Sequence, residues 1–276
     1  MDKNMIIIVT GSNRGLGQAI CRLLAQTSHD PPLTIYATSR ESVSIDIKPL
    51  HNNLIHFEQL DITSTSSIQS LISKINSPVD ILINDAAVVL DREYNYENAV
   101  KTFEVNYRAT RNMCELFLNA GEMVENKGSR IVNVTASGSS KLSSYSKDIQ
   151  AQFSSSSLTL AGLDNLADIY LQSVKAGTEE ESGWNHVKGS YNVSKSCVNA
   201  LTAVLSRQYP GILINCCCPG WNKTDMGSLG GDFGKDPMEG AKIPVKLAIG
   251  DIGDVSGGYW ANDSIVDTGD GKLREW

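Results

Sequence analysis

Tyr191 and Lys195 stand at i and i+4 in SYNVSKSCVNALTAVLS (190–206), where Val193, Cys197, Ala200, Leu201 and Val204 recur at helical spacing. On a helix the two side chains share one face. A phenol titrates at about 10 and is a poor acid–base group at neutral pH. A neighbouring ammonium favours the phenolate, lowers that value and makes the phenol a usable proton donor to a carbonyl oxygen. Tyr-x-x-x-Lys is also common as a surface pair, so its meaning depends on the rest of the chain. A second source of hydroxyls lies upstream, where IVNVTASGSSKLSSYS (131–146) breaks from an apolar run into serines.

The first apolar run ends in TGSNRGLG (10–17), and a helical pattern follows at once. Gly11, Gly15 and Gly17 permit a tight turn, a close approach of backbone to a phosphate, and a helix whose first amides face that anion. A glycine pattern wedged between a buried strand and a helix is far more specific than one standing alone. Its order is G-x-x-x-G-x-G, so the end of the second strand must settle which dinucleotide it holds. NAD sites place a carboxylate there for the ribose 2′-hydroxyl. This chain reads TIYATSR and ends on Arg40, with Arg14 inside the glycine loop. Two guanidiniums suit a 2′-phosphate through charge-assisted contacts, which predicts NADP(H) over NAD. Glu41 is a rival partner for Arg40.

The elements that must position these groups recur in alternation. Short, β-branched, nearly continuous apolar runs occupy 5–10, 33–38, 54–62, 79–85, 130–135 and 212–219, as expected of strands buried on both faces. Helical patterns lie between them at 16–26, 66–75 and 100–120. This alternation predicts an α/β fold with a parallel sheet, helices on both faces and right-handed crossovers. No linker interrupts it, so residues 1–276 are expected to form one domain. Residues 138–190 break the rhythm and are expected to be an insertion over one face, with a weak helical pattern at 160–174. After Trp221 the chain is rich in Gly, Asp and Lys, which predicts loops (a substrate loop at about 221–256) and one last strand near 257–261.

Composition narrows the function. The 276 residues are 41% hydrophobic and 20% charged, as in an ordinary globular protein, and the net charge of −7 offers no basic field for nucleic acid or an anionic membrane. No apolar run approaches the roughly 18–20 residues of a membrane span, and the N-terminal apolar stretch is too short for a signal peptide. The six cysteines lack zinc-site spacing, and three are adjacent in LINCCCPGW. No metal is expected, and the thiols read as small buried hydrophobes in a reducing cytoplasm.

With TGSNRGLG (10–17), LDI (60–62), NDAA (84–87), Asn106 in EVNYRAT, RIVNV (130–134), YNVSK (191–195) and PGWNKTDM (219–226), nearly the whole chain resembles the short-chain dehydrogenase/reductase family. Within it the chain is similar to the monomeric NADPH-dependent carbonyl reductases. The resemblance implies a single doubly wound Rossmann-type domain with a long insertion before the catalytic tyrosine. It implies that Tyr191 protonates the substrate oxygen, that Lys195 holds the nicotinamide ribose and lowers the tyrosine's pKa, and that Asn106 positions a water in the proton relay. Gly11, Ser12, Asn13, Arg14, Gly15, Leu16 and Gly17 would hold the cofactor phosphates. Asp61 and Ile62 would line the adenine pocket, and Asn84 and Ala86 the ribose region. Pro219, Gly220 and Thr224 would meet the nicotinamide and diphosphate.

Two departures follow. The family's N-N-A-G stands here as Asn84-Asp85-Ala86-Ala87, which adds a methyl and replaces an amide by a carboxylate that cannot donate. A modest stability cost is expected. The catalytic serine register is also shifted: laid down without gaps, Ala136 takes its place, whereas a one-residue bulge brings in Ser137, with Ser139 the next nearest hydroxyl and Thr135 pointing away. Ser137 is the expected residue, and the absence of any catalytic serine stays open. The substrate is expected to be a hydrophobic ketone, aldehyde or quinone, with Tyr145, Trp184, Trp221 and Met226 as candidate lining. The long insertion implies a monomer. Alcohol oxidation by the same site, or an NADP(H)-binding sensor with little turnover, are the alternatives.

Overall fold

The computed structural model describes residues 4–137, 142–184, 189–231 and 233–276. Eight strands form one sheet in the order β3-β2-β1-β4-β5-β6-β7-β8. They are β1 (Met5–Thr10), β2 (Leu33–Ser39), β3 (Leu54–Gln59), β4 (Ile81–Asn84), β5 (Arg130–Val134), β6 (Leu213–Cys217), β7 (Tyr259–Ala261) and β8 (Lys272–Arg274). Pairings from β3 through β7 are parallel, and β8 closes the edge antiparallel to β7. The chain runs outward from β1 to β3 and then returns past β1 to β4. The crevice at the carboxyl ends of β1 and β4 is therefore the topological switch point, where open α/β sheets bind ligands.

The continuous apolar strands are explained by two cores. On one face α1 (Gly15–Gln26) and α8 (Pro237–Ile249) cover Ile7, Val9, Ile81, Ile83 and Val132. On the other, α2 (Thr65–Ile75), α3 (Tyr96–Phe103), α4 (Thr110–Asn119) and α7 (Ser190–Gln208) cover Ile6, Ile8, Leu82 and Ile131.

Two expectations need correction. The single helix expected over 100–120 is α3, a π-helical turn at Glu104–Ala109, and α4. Such turns are frequent at functional sites, and this one contains Asn106. The segment after Trp221 is not loops plus one strand. It contains α8, capped by the Asp236 carboxylate accepting the Met238 N–H at 2.8 Å, and then β7 and β8. Gly240 and Pro244, both poor helix formers, hid α8 in the sequence, while its buried face against α1 stabilises it. The substrate loop accordingly ends before Pro237. The insertion holds the helix expected at 160–174, as α6 (Leu160–Ala176), together with a short α5 (Lys147–Phe153). Tyr170 of α6 stacks on Phe103 of α3 at 5.3 Å between ring centroids.

All six cysteines are buried and free of disulfides. Among the described residues no helix is long and apolar enough to cross a membrane, and no cluster of metal-ligating side chains occurs.

Candidate active site

A cavity of about 1030 Å³ runs along the carboxyl ends of the strands, at the upper end of the range for small-molecule and cofactor sites. One end is framed by Arg40, Asp61 and Ile62, the middle by the glycine loop and Ala86, and the other end by Ser137, Tyr191, Trp221 and Met226.

The floor is built by glycines. Gly11 has φ +71°, and a Cβ there would lie 2.9 Å from the Ala86 Cα. A Cβ on Gly17 would fall 2.4 Å from the Gly11 carbonyl oxygen. Any side chain at either position would push the loop off the end of β4, so the cradle exists only because these positions are glycine. Asn13, Arg14, Gly15 and Leu16 line the cavity, beside the first amides of α1, whose positive end favours a phosphate. Ser12 does not face it. Its backbone N–H and hydroxyl both bond the Thr38 carbonyl, at 3.0 and 3.1 Å, and join the loop to β2.

At the Arg40 end, the Asp61 carboxylate accepts the Thr63 hydroxyl at 2.7 Å and the Thr63 N–H at 2.9 Å. These bonds, aided by the Arg40 charge, hold the Asp61 carboxyl below its ordinary range. Arg14 pairs with Asp225 at 3.0 Å across the mouth of the cavity. Thr224 packs over Gly15, and Pro219 and Gly220 complete that wall.

At the other end α7 presents Tyr191 and Lys195. The helix has no side-chain cap of its own; instead Asp91, from the loop after β4, accepts the Tyr191 backbone N–H at 3.0 Å. Lys195 is 3% exposed, donates to the Val134 carbonyl at 2.7 Å, and lies 6.0 Å from the centre of the Tyr191 ring. The protein surroundings shift the phenol in the direction opposite to the expected lowering. Burial raises Tyr191 above its ordinary value, and the Asp85 and Asp91 carboxylates act in the same direction. Lys195 is displaced downward by burial, opposed by Asp85. The site therefore holds a protonated phenol at neutral pH.

Asn106 and Asn84 stand behind the wall. The Asn106 amide bonds the Val88 N–H at 2.9 Å, the Val88 carbonyl at 3.0 Å and the Ser194 hydroxyl at 3.1 Å. It thus ties the π-helical turn to the loop after β4 and to α7. Asn84 donates to the Asn133 amide oxygen at 2.9 Å and braces β4 against β5.

The candidate hydroxyls among the described residues face different ways. The Thr135 N–H and hydroxyl both point to the Cys217 carbonyl, at 2.7 and 3.3 Å, away from the cavity. Ala136 and Ser137 line the cavity, so of these residues only Ser137 brings a hydroxyl to it. Ser139 lies outside the described residues. Tyr145 and Trp184 are corrections: both are core residues, 3% and 1% exposed, packed edge to face at 5.7 Å. Trp221 and Met226 do line the cavity. Asp91, Arg92, Val88 and Val89 also line it. They come from the connection after β4, which holds only a single 3₁₀ turn (Asp91–Glu93), too short for periodicity to mark which side chains face inward.

The comparisons agree with this geometry. A family profile described as short chain dehydrogenase matches residues 5–165. Short-chain dehydrogenase/reductase 1 from Saponaria officinalis is 30% identical over 94% of this chain and 94% of its own. Carbonyl reductase (NADPH) 1 from Sus scrofa is 33% identical over 88% of this chain and 86% of its own. In fold, menthone neomenthol reductase from Mentha piperita superposes with a TM-score of 0.75 at 23% identity, covering 94% of this chain and 99% of that one. A glycine cradle at the switch point, a Tyr-x-x-x-Lys helix facing it across one cavity, and a match over most of the chain lead to one conclusion: this protein belongs to the short-chain dehydrogenase/reductase family.

Proposed function

We propose that the protein is an NADP(H)-dependent carbonyl reductase acting on a hydrophobic ketone, aldehyde or quinone. The observation that carries this reading is the single cavity joining Arg40, the glycine cradle and Tyr191. Arg40 and Arg14 would supply cationic groups for a 2′-phosphate, Asn13, Gly15 and Leu16 would hold the diphosphate, Asp61 and Ile62 would line the adenine pocket, and Ala86, Pro219, Gly220 and Thr224 would meet the ribose and nicotinamide. When bound, the reduced nicotinamide supplies a hydride to the carbonyl carbon.

The chain's own groups handle the oxygen. Tyr191, held protonated by its burial, donates its proton as negative charge develops on the substrate oxygen. Ser137 donates a second hydrogen bond to that oxygen, and Lys195 anchors the ribose beside it. A phenol kept protonated suits reduction better than alcohol oxidation, which needs it as a base. Trp221, Met226, Val88 and Val89 give the substrate end an apolar wall.

Purified protein should consume NADPH when offered quinones and aldehydes. Cofactor binding without consumption across a broad panel would instead support the sensor reading. Ser137→Ala should lower kcat by roughly 10², the scale of one lost donor to a developing oxyanion, with NADPH affinity unchanged; unaltered turnover would exclude Ser137 from the site.

The same reading extends to assembly. Helix α6 covers α3 and α7: the Tyr170 ring stacks on Phe103 of α3, and its hydroxyl hydrogen-bonds the Ser190 hydroxyl of α7 at 3.2 Å. Faces of α3 and α7 are thereby packed within the chain rather than left for a partner. Light scattering should give a single-chain mass, and a stable tetramer would overturn this assembly.

A further inference from the structure

Asp85 stands where the family carries an amide, and its surroundings show what the carboxylate faces. The β4–β5 register pairs Asn84 with Asn133, so the next residue, Asp85, comes level with Val134 on a strand about 4.8 Å away. The Val134 carbonyl is the acceptor for the Lys195 ammonium, at 2.7 Å. The Asp85 backbone N–H donates to the Thr10 hydroxyl at 3.0 Å and fixes the residue against β1. Its side chain occupies the space left by Gly17, where a Cβ would lie 2.8 Å from Asp85 Oδ2, and it accepts the Gly17 N–H. Asp85 and Lys195 line the same cavity.

We propose that Asp85 is the counter-ion of Lys195, and through it a positioning residue for the carbonyl reduction; its role in turnover rests on the functional reading above. A lysine that is 3% exposed has little water to stabilise its charge, so burial drives it toward the neutral amine. The other groups acting on it do not offset this. Cys217 and Cys218, at the end of β6, are thiols that burial pushes up and keeps neutral. Tyr191, on its own helix, is held protonated. Around Asp85 itself stand Cys21 of α1, also pushed up by burial, Cys217, Tyr191 and Lys195. Burial pushes the Asp85 carboxyl itself up to about 7, against the pull of the Lys195 charge and the Gly17 N–H. Above that pH the carboxylate supplies the negative charge that keeps Lys195 an ammonium, acting across the cavity with no direct ion pair between the two among the described residues. An amide at position 85 would fill the same volume and supply no charge.

The test compares wild type with Asp85→Asn, which changes charge at nearly constant shape. Protein carrying lysine labelled with carbon-13 at Cε is titrated by NMR without cofactor, the Lys195 signal being the one absent from Lys195→Arg. An opposite charge close to a buried group moves its titration by about one to three pH units. The Lys195 midpoint should therefore fall by at least about one unit in Asp85→Asn, and the alkaline limb of kcat/KM for an aromatic aldehyde should move to lower pH with it. An unchanged NMR midpoint overturns the proposal whether or not turnover is seen. A shifted midpoint with an unshifted pH profile overturns the positioning role. Absence of turnover in the wild type would count against the reductase reading alone, because the NMR midpoint decides the ion pair independently.

Discussion

Tyr191→Phe should lower kcat for NADPH-dependent carbonyl reduction by on the order of 10³, within the range contributed by a positioned general acid. It should leave NADPH affinity and thermal stability close to wild type. The substitution removes one oxygen and nothing that holds the helix: the bond to Asp91 comes from the backbone N–H of residue 191 and survives, as does the lysine anchor on Val134. The expected loss therefore falls on the proton transfer. Fluorescence titration with NADPH and a thermal melt separate this outcome from misfolding. Near-normal turnover in a folded, NADPH-binding Tyr191→Phe protein would remove Tyr191 from the chemistry and with it the central step of the proposed reduction. Burial also has a pH consequence: because the phenol is raised rather than lowered, it stays a competent donor throughout the neutral range, and its loss as a donor belongs to alkaline pH.

Much of this site was legible because its parts are periodic or punctuated. Strand runs buried on both faces announce themselves as continuous apolar residues, and the glycines of 10–17 mark a turn that only glycine tolerates at φ +71°. Tyr191 and Lys195 are legible through helical spacing alone. What escaped was set by tertiary packing. Helix α8 carries Gly240 and Pro244, and it holds because its apolar face lies against α1, which no local propensity reveals. Tyr145 and Trp184 have the composition of a hydrophobic pocket, yet they fill the core beneath α5 and α6. Asp91 caps α7 from a hundred residues upstream, a relation that sequence spacing cannot encode. Asn106 was legible as a residue of interest, but the hydrogen bonds of its amide, to Val88 and Ser194, depend on where the π-helical turn faces.

Arg40→Asp should invert the cofactor preference, lowering the ratio of NADPH to NADH affinity by on the order of 10³. Arg40 follows β2 at the far end of the cavity, and its backbone carbonyl is pinned by the Gln59 amide at 3.1 Å. Its guanidinium is exposed and, among the described residues, in no ion pair, so Glu41 does not consume it. Arg14 differs: it is held by Asp225, though the partners are 72% and 77% exposed and such a pair contributes at most about 1 kcal/mol. A charge-assisted bond from Arg40 to a 2′-phosphate is worth about 1.5–3 kcal/mol, one to two decades of affinity. Placing a carboxylate there adds like-charge repulsion of several kcal/mol before screening, and it offers an acceptor to the 2′-hydroxyl of NADH. Two features make this outcome diagnostic. Arg40→Gln, which deletes the charge without reversing it, should fall between wild type and Arg40→Asp. The NADPH preference of the wild type should also weaken as salt rises, because an exposed charge pair is screened over about 8–10 Å at ordinary ionic strength. If NADPH affinity is unchanged in Arg40→Asp, the 2′-phosphate is not read at this position, and Arg14 would have to leave Asp225 to bind it.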